Sequence, residues 1–330
     1  MKQRKLGRTD LLVSEYCLDA ATLGWHPAAA DADTVLDAFR EVGGTFIQLQ
    51  ADSGDDAGES GVGALSETLV GRWLHSRRIA RPEVVLAYCI HLPAISSYFR
   101  LAAEIRSSCE RALRRLGTTY LDLLLIRWTD GLPVDDTLVA VEYLQRSGMF
   151  RHLGGGGFPA WRAMEWIGYA DRRRLSRLDT LQTELSPPGD TGSWQELRDL
   201  ARHQRLGLVV RPPYTGPTDD EHPRGVLRPY PVRDSAGCAI AQIARERGLP
   251  PRHVALAWTL ADPTVSAVLV PASTPPEVED LRRAARIELA FHELLQVGRA
   301  APPVVTPGFH EPNGHELLSS LQSTPNHSAS

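Results

Sequence analysis

The segment LLLIRWTD at 123–130 carries an apolar run straight into Arg127 and Trp128. Other short apolar runs end in the same way on side chains able to do chemistry: Asp19, Gln48, Cys89, Glu184 and Arg211. Carboxylates and guanidiniums gathered at one rim perturb one another's pKa values, which is how acid–base sites are built. In that reading Asp19 or Glu184 is the base. Arg127 stabilises an anion or enolate, because a guanidinium stays protonated at any ordinary pH. Cys89 is the candidate nucleophile, with a plain buried thiol as the alternative. Trp25, His26, Tyr88, Trp128 and Tyr214 would line a substrate wall, with Gln48 and Arg211 adding polar contacts. The simpler alternative is a salt bridge in which Asp19 and Arg127 neutralise each other.

Positioning such groups takes a scaffold, and the chain supplies a regular one. Apolar runs at 15–19, 45–49, 84–89, 121–126, 151–155, 179–184, 207–211 and 266–270 read as strands. Helix-period segments lie between them. One of these places Leu101, Ile105, Cys109, Ala112 and Leu116 on a single stripe, and Ser66 is read as the N-cap of another. Further helices are expected near 160–172, 193–204, 235–248 and 275–286. Strands too apolar to face water on either side, each followed by a helix, imply a parallel sheet. Eight such units in this length predict an α/β (β/α)8 TIM barrel over 1–300, with chemistry at the C-terminal strand ends. The segment RKLGRTDLLVSE at 4–15 has a hairpin pattern and would plug the bottom. Residues 301–330, rich in Pro, Ser, Asn and His, are expected to form a flexible C-terminal tail.

Composition narrows the function classes. A net charge of −4 over 330 residues gives no electrostatic argument for nucleic acid or an anionic membrane surface. No apolar run is long enough to span a bilayer and the N-terminus lacks a signal-peptide core, so a cytoplasmic location is expected. The four cysteines have no CxxC spacing, and the histidines show no ligand spacing, so no metal is expected. Lysine occurs only as Lys2 and Lys5, which removes Schiff-base chemistry from the barrel interior.

RKLGRTDLLVSEYCL, GGTFIQ, SETLVGRWL, ALRRLGTTYLDLLLIRW, FPAWRAME and VALAWTLADPTVSAVLVPASTPPEVEDL occur in the order of segments found in aldo-keto reductases. The chain resembles that family over nearly all its length. The resemblance implies a (β/α)8 barrel that binds NADP(H) and reduces carbonyls, with tyrosine, lysine, aspartate and histidine at the reacting centre. Position by position, the family aspartate aligns with Gln48, the tyrosine with Ser53 or Gly54, the lysine with Cys89 and the histidine with Arg127. The family's GASN segment aligns with the four glycines at 154–157, its nicotinamide-stacking aromatic with Leu185, and a serine after the seventh strand with Pro212. Gln182 is retained, and Ser273 and Thr274 stand where a helix N-terminus could bind phosphate.

A glutamine cannot titrate and a guanidinium is a poor proton donor, so these substitutions lead to the expectation of a redox-neutral enzyme. It would perform a cyclisation, dehydration or isomerisation of an organic metabolite, with no cofactor required and NADP(H) binding weak. A non-catalytic ligand-binding protein is one alternative. A residual NADP(H)-dependent reductase is the other, with its donor relocated to Tyr88, Tyr214 or water. The partner in each case is a small molecule, and the sequence leaves the oligomeric state open.

Overall fold

Alternation within each apolar run decides which side chains fill a barrel and which meet the helices around it. The computed structural model of the chain describes residues 1–23, 31–51, 62–92, 98–184, 191–212 and 235–300. An antiparallel hairpin, β1 (Gln3–Lys5) and β2 (Leu12–Ser14), precedes a closed parallel barrel. The barrel strands are β3 (Tyr16–Asp19), β4 (Phe46–Gln50), β5 (Val85–His91), β6 (Leu121–Arg127), β7 (Phe150–Gly156), β8 (Thr180–Glu184), β9 (Gly207–Arg211) and β10 (Val265–Val270). Each pairs with the next in sequence, and β10 closes the ring on β3. The TIM-barrel expectation holds.

Helices α1 (Ala32–Glu41), α2 (Val62–Ser76), α3 (Tyr98–Leu116), α4 (Val134–Arg146), α5 (Ala160–Arg173) and α6 (Thr191–Gln204) follow β3 to β8 in turn. Two helices, α7 (Ser235–Arg247) and α8 (Pro251–Ala261), follow β9, and α9 (Pro275–Ala284) and α10 (Phe291–Ala300) follow β10. The stripe read on α3 is buried throughout, from Leu101 to Leu116. Ser66 is a correction: it lies inside α2, and its hydroxyl donates back to the Gly63 carbonyl at 3.0 Å instead of capping the helix. Helices α8 and α10 add to the expected set. The tail at 301–330 lies outside the described residues.

Two hydrophobic layers result. Leu18, Ile47, Leu86, Leu124 and Val268 point outward into the helix-packed core. Cys17, Phe46, Ala87, Leu125, Val209 and Leu269 fill the barrel interior, where Leu6, Leu11 and Val13 of the hairpin join them from below. The hairpin is therefore a plug, as expected. It approaches the barrel so closely that a Cβ on Gly7, which sits at φ +57°, would lie 2.3 Å from the Gly207 backbone nitrogen.

The plug is also tied by charge. Arg8 Nε donates to Asp179 Oδ1 at 2.9 Å, and His152 bridges Asp10 at 2.9 Å and Asp179 at 3.3 Å. Burial opposes the charged form of His152, but its hydrogen bonds to Asp179 and Asp10 outweigh that and raise its pKa. Asp179 is likewise opposed by burial and is held low by His152 and Arg8. A folded-state pKa above the unfolded one makes the His152 contribution complete below the unfolded value, and rising pH removes it through the folded value. For Asp10 and Asp179 the sign reverses, and their contribution disappears on acidification. Thermal stability is therefore expected to decline as pH rises above about 6.5. His152→Gln should flatten that limb, which melting curves across pH would read; an unchanged slope would remove His152 as its source.

Candidate active site at the barrel mouth

The C-terminal strand ends form a continuous polar ring whose order follows from register. Asp19 is paired with Gln48, Gln50 with Cys89, His91 with Arg127, Arg127 with Gly156, Gly156 with Gln182, and Glu184 with Arg211. Asp19, Gln48, Cys89, Arg127, Gln182 and Arg211 share the inward parity of the interior cluster. Sequence reading thus selected groups that the barrel brings together. Glu184 ends β8, but its side chain lies outside the described residues, as do Trp25, His26, Ser53, Gly54, Leu185 and Tyr214.

Their pairing differs from expectation. Asp19 does not meet Arg127; its Oδ2 lies 3.0 Å from Arg211 Nη2, in a pair whose side chains are 7% and 22% exposed. Closure of the barrel places β3 and β9 on either side of β10, whereas β6 stands farther round the ring. The other oxygen, Oδ1, accepts from the Ala21 backbone N–H at 3.2 Å, which caps a short 3-10 turn at Ala20–Thr22. Both oxygens of Asp19 are thus engaged, and the carboxylate orients Arg211. Arg127 is exposed at the rim and makes no ion pair among the described residues.

Three further assignments are corrected. Burial pushes the Cys89 thiol up to about 11, against the pull of Arg127 and Arg211, so the thiolate needed of a nucleophile is scarce near neutrality. Tyr88 does not line the mouth. It alternates outward with Leu86 and Ile90, its hydroxyl lies 3.0 Å from Ser108 Oγ on α3, and burial raises its pKa. It cannot serve as a relocated proton donor. Trp128 packs its ring edge-on against Phe158 at 5.3 Å and beneath Arg162 at 4.8 Å, on the helix side of the sheet rather than in the lumen.

Gln48 is 2% exposed, and its buried Oε1 has no hydrogen-bond partner among the described residues. A buried acceptor left unmet costs about 1–3 kcal/mol, so a hydrogen-bond donor reaching this carboxamide would be stabilising. The glycines at 154–157 divide by function. A Cβ on Gly154 would lie 2.5 Å from both Leu125 Cδ2 and Thr180 Cγ2, so this glycine serves interior packing. A Cβ on Gly156 would lie 3.7 Å from both Arg127 Cα and Gln182 Oε1, ordinary contact distances, so a methyl group fits there without displacing a neighbour. Gly154→Ala should then cost about 2 kcal/mol through overpacking while Gly156→Ala leaves stability nearly unchanged. Equal denaturation midpoints for the two variants would contradict this division.

Ser273 and Thr274 lie between β10 and α9, but the first turn is not an open anion site. Glu277 Oε2 already accepts the Ser273 N–H at 2.6 Å, and Pro275 and Pro276 have no N–H to offer. Sequence reading passed over Glu277. No set of three or more metal-binding side chains occurs among the described residues, and none of their helices is long and apolar enough to cross a membrane.

A parallel eight-stranded barrel with its polar ring at the C-terminal strand ends defines the (β/α)8 enzyme scaffold. The family model "Aldo/keto reductase family" matches residues 20–298, and the chain belongs to that family. A relative from Bacillus subtilis, named as an uncharacterized oxidoreductase YrpG, is 27% identical, over 88% of this chain and 92% of its own. L-galactose dehydrogenase of Arabidopsis thaliana is 26% identical over 84% of this chain and 86% of its own. The fold matches the crystal structure of a thermostable aldo-keto reductase in complex with the inhibitor epalrestat, with a TM-score of 0.70 at 20% identity. That match covers 91% of this chain and 100% of the other.

These relatives overturn the expectation of a redox-neutral cyclase, dehydratase or isomerase, and with it that of a non-catalytic binding protein. Proteins that align along most of the chain carry the names of oxidoreductases and dehydrogenases. Loss of the family's proton donor does not remove hydride chemistry, because transition-state charge can be stabilised by a different group at the same rim.

Proposed function

We propose that this protein is a nicotinamide-dependent oxidoreductase that interconverts a carbonyl and a hydroxyl group at the barrel mouth. The observation that carries the reading is Arg127: an inward-parity guanidinium at the exposed rim, with no ion pair among the described residues, in register with Gly156. A nicotinamide dinucleotide, when bound, would supply the hydride in reduction and accept it in oxidation. The site offers that cofactor two carboxamides, Gln182 next to Gly156 and Gln48 with its unmet Oε1, suited to hydrogen-bonding an amide or a hydroxyl.

The chain's own part in catalysis is electrostatic. As a carbonyl carbon gains hydride, its oxygen becomes an alkoxide, and Arg127 donates to that oxygen with a charge no ordinary pH removes. Arg211 is held in place by Asp19, so the mouth keeps an ordered pair beside the reacting centre rather than a second mobile cation. The alkoxide takes its proton from water entering at the exposed rim. In the oxidative direction the same guanidinium favours ionisation of the hydroxyl before hydride leaves.

The test is turnover with a panel of aldehydes, ketones and secondary alcohols, following nicotinamide absorbance with both coenzyme forms. Alcohol formed in a one-to-one ratio with coenzyme oxidised is the expected result. Absence of coenzyme-linked turnover with every compound, in both directions, would refute the reading.

A further inference from the structure

Strand β5 runs on through His91, past the end at residue 89 that its apolar run suggests. The extension matters because of parity. Val85, Ala87 and Cys89 belong to the interior cluster, and His91 is the next residue on that side of the strand. It thus stands at the mouth, one inward step above Cys89. In register beside it on β6 is Arg127, whose other neighbour, Gly156, has no side chain. His91 is exposed and makes no hydrogen bond or ion pair among the described residues.

Carbonyl reduction needs a proton delivered to the new alkoxide, and hydroxyl oxidation needs one removed, by a group able to do both near neutral pH. The described groups around His91 do not meet that need. Arg127 from β6 and Arg211 across the lumen hold their protons throughout. Burial pushes the Cys89 thiol up to about 11. Strand β4 ends on the uncharged Gln50, in register with Cys89. Asp19 is paired with Arg211, and β6 stands farther round the ring. Imidazole is the side chain suited to donating and accepting in that range. The other described histidines lie elsewhere: His152 bridges the plug at the bottom, and the rest are on helices.

The geometry points to His91 as the proton carrier of this site, acting beside Arg127 on the same oxygen. The inference rests on the oxidoreductase reading above and specifies how a proton from water reaches the alkoxide. In reduction, a C–H bond forms at the carbonyl carbon as the π pair moves to oxygen, two electrons coming from the reduced nicotinamide. Arg127 holds the charge on that oxygen, and protonated His91 gives it the N–H proton, forming the O–H bond. The neutral imidazole then recovers a proton from water at the exposed rim. In oxidation each transfer reverses. Deeper in the mouth, the unmet Gln48 Oε1 independently favours a molecule that brings a hydrogen-bond donor there.

The test follows nicotinamide absorbance across pH with a carbonyl compound that the parent turns over, and with its alcohol. His91→Gln should lower kcat by about 100-fold, the low end for a general acid, because water at the rim remains as a poorer donor. Coenzyme affinity by calorimetry should stay within about twofold. The parent's reductive kcat should fall as pH rises and its oxidative kcat should rise, and the variant should lose both limbs. Added imidazole should restore turnover to His91→Ala, which a merely structural role would not allow. A readout without turnover uses the parent itself: the His91 ring signal in an NMR spectrum, identified by its absence from His91→Gln, should shift when the alcohol is added. A fall in kcat smaller than about tenfold, pH limbs that persist in the variant, or a ring signal unmoved by saturating alcohol would each overturn the role of His91 while leaving the oxidoreductase reading standing. No coenzyme-linked turnover by the parent with any compound, in either direction, would overturn both.

Discussion

Replacing Arg127 with alanine is expected to lower kcat/KM for the carbonyl substrate by about 100- to 1,000-fold, the usual cost of removing one donor from a developing oxyanion. Coenzyme affinity should stay within about twofold, since the proposed contact is to the reacting oxygen. Arg127→Lys should recover part of the loss, because a lysine restores charge but not the planar fork. Arg127→His gives the sharpest control. An imidazole stabilises an alkoxide only when protonated, so its activity should be highest at low pH and fall as pH rises through about 6.5. The parent enzyme should show no such limb from this position. If Arg127→Ala retained kcat/KM within about threefold of the parent, below the smallest effect expected of such a donor, the guanidinium would have no part in the reaction.

Much of the scaffold was legible because alternation in a strand is a strict rule. Val85, Ala87 and Cys89 face inward and Leu86, Tyr88 and Ile90 outward, as the period of two requires. The misplacement of Tyr88 in the mouth was therefore avoidable: it follows from its own parity. Ion pairing was harder to read. Asp19 and Arg211 lie at opposite ends of the barrel's sequence and become near neighbours only when β10 closes on β3, a step that no local pattern encodes. Helix α10 escaped for another reason: it follows the last strand's own helix and buries only Val297 fully, so neither the strand–helix rhythm nor a long apolar stripe marked it. Glu277 was hidden because four residues after Ser273 it looks like an ordinary first-turn carboxylate. Its meaning depends on which N–H it occupies. The functional misreading is of a different kind, since substitutions reveal which group no longer delivers a proton, not whether a hydride still moves.

Neutralising Asp19 with Asp19→Asn is expected to destabilise the fold by about 2–3 kcal/mol and to lower the melting temperature by about 3–4 °C. The cost arises because Arg211, 22% exposed, then loses the one ion pair it makes among the described residues. Full burial would cost more; access to the rim lets water recover part of the lost interaction. Arg211→Gln alone should be destabilising for the mirror-image reason. The double variant should regain most of the loss, giving a coupling of about 2 kcal/mol, as expected for residues in direct contact. That cycle also separates two roles for the carboxylate. An anchoring anion predicts that turnover recovers together with stability in the double variant, because the order of the mouth is restored without any charge. A general base predicts that turnover stays lost however stable the protein becomes, since asparagine accepts no proton. The engagement of both Asp19 oxygens, by Arg211 and by the Ala21 N–H, favours the first outcome.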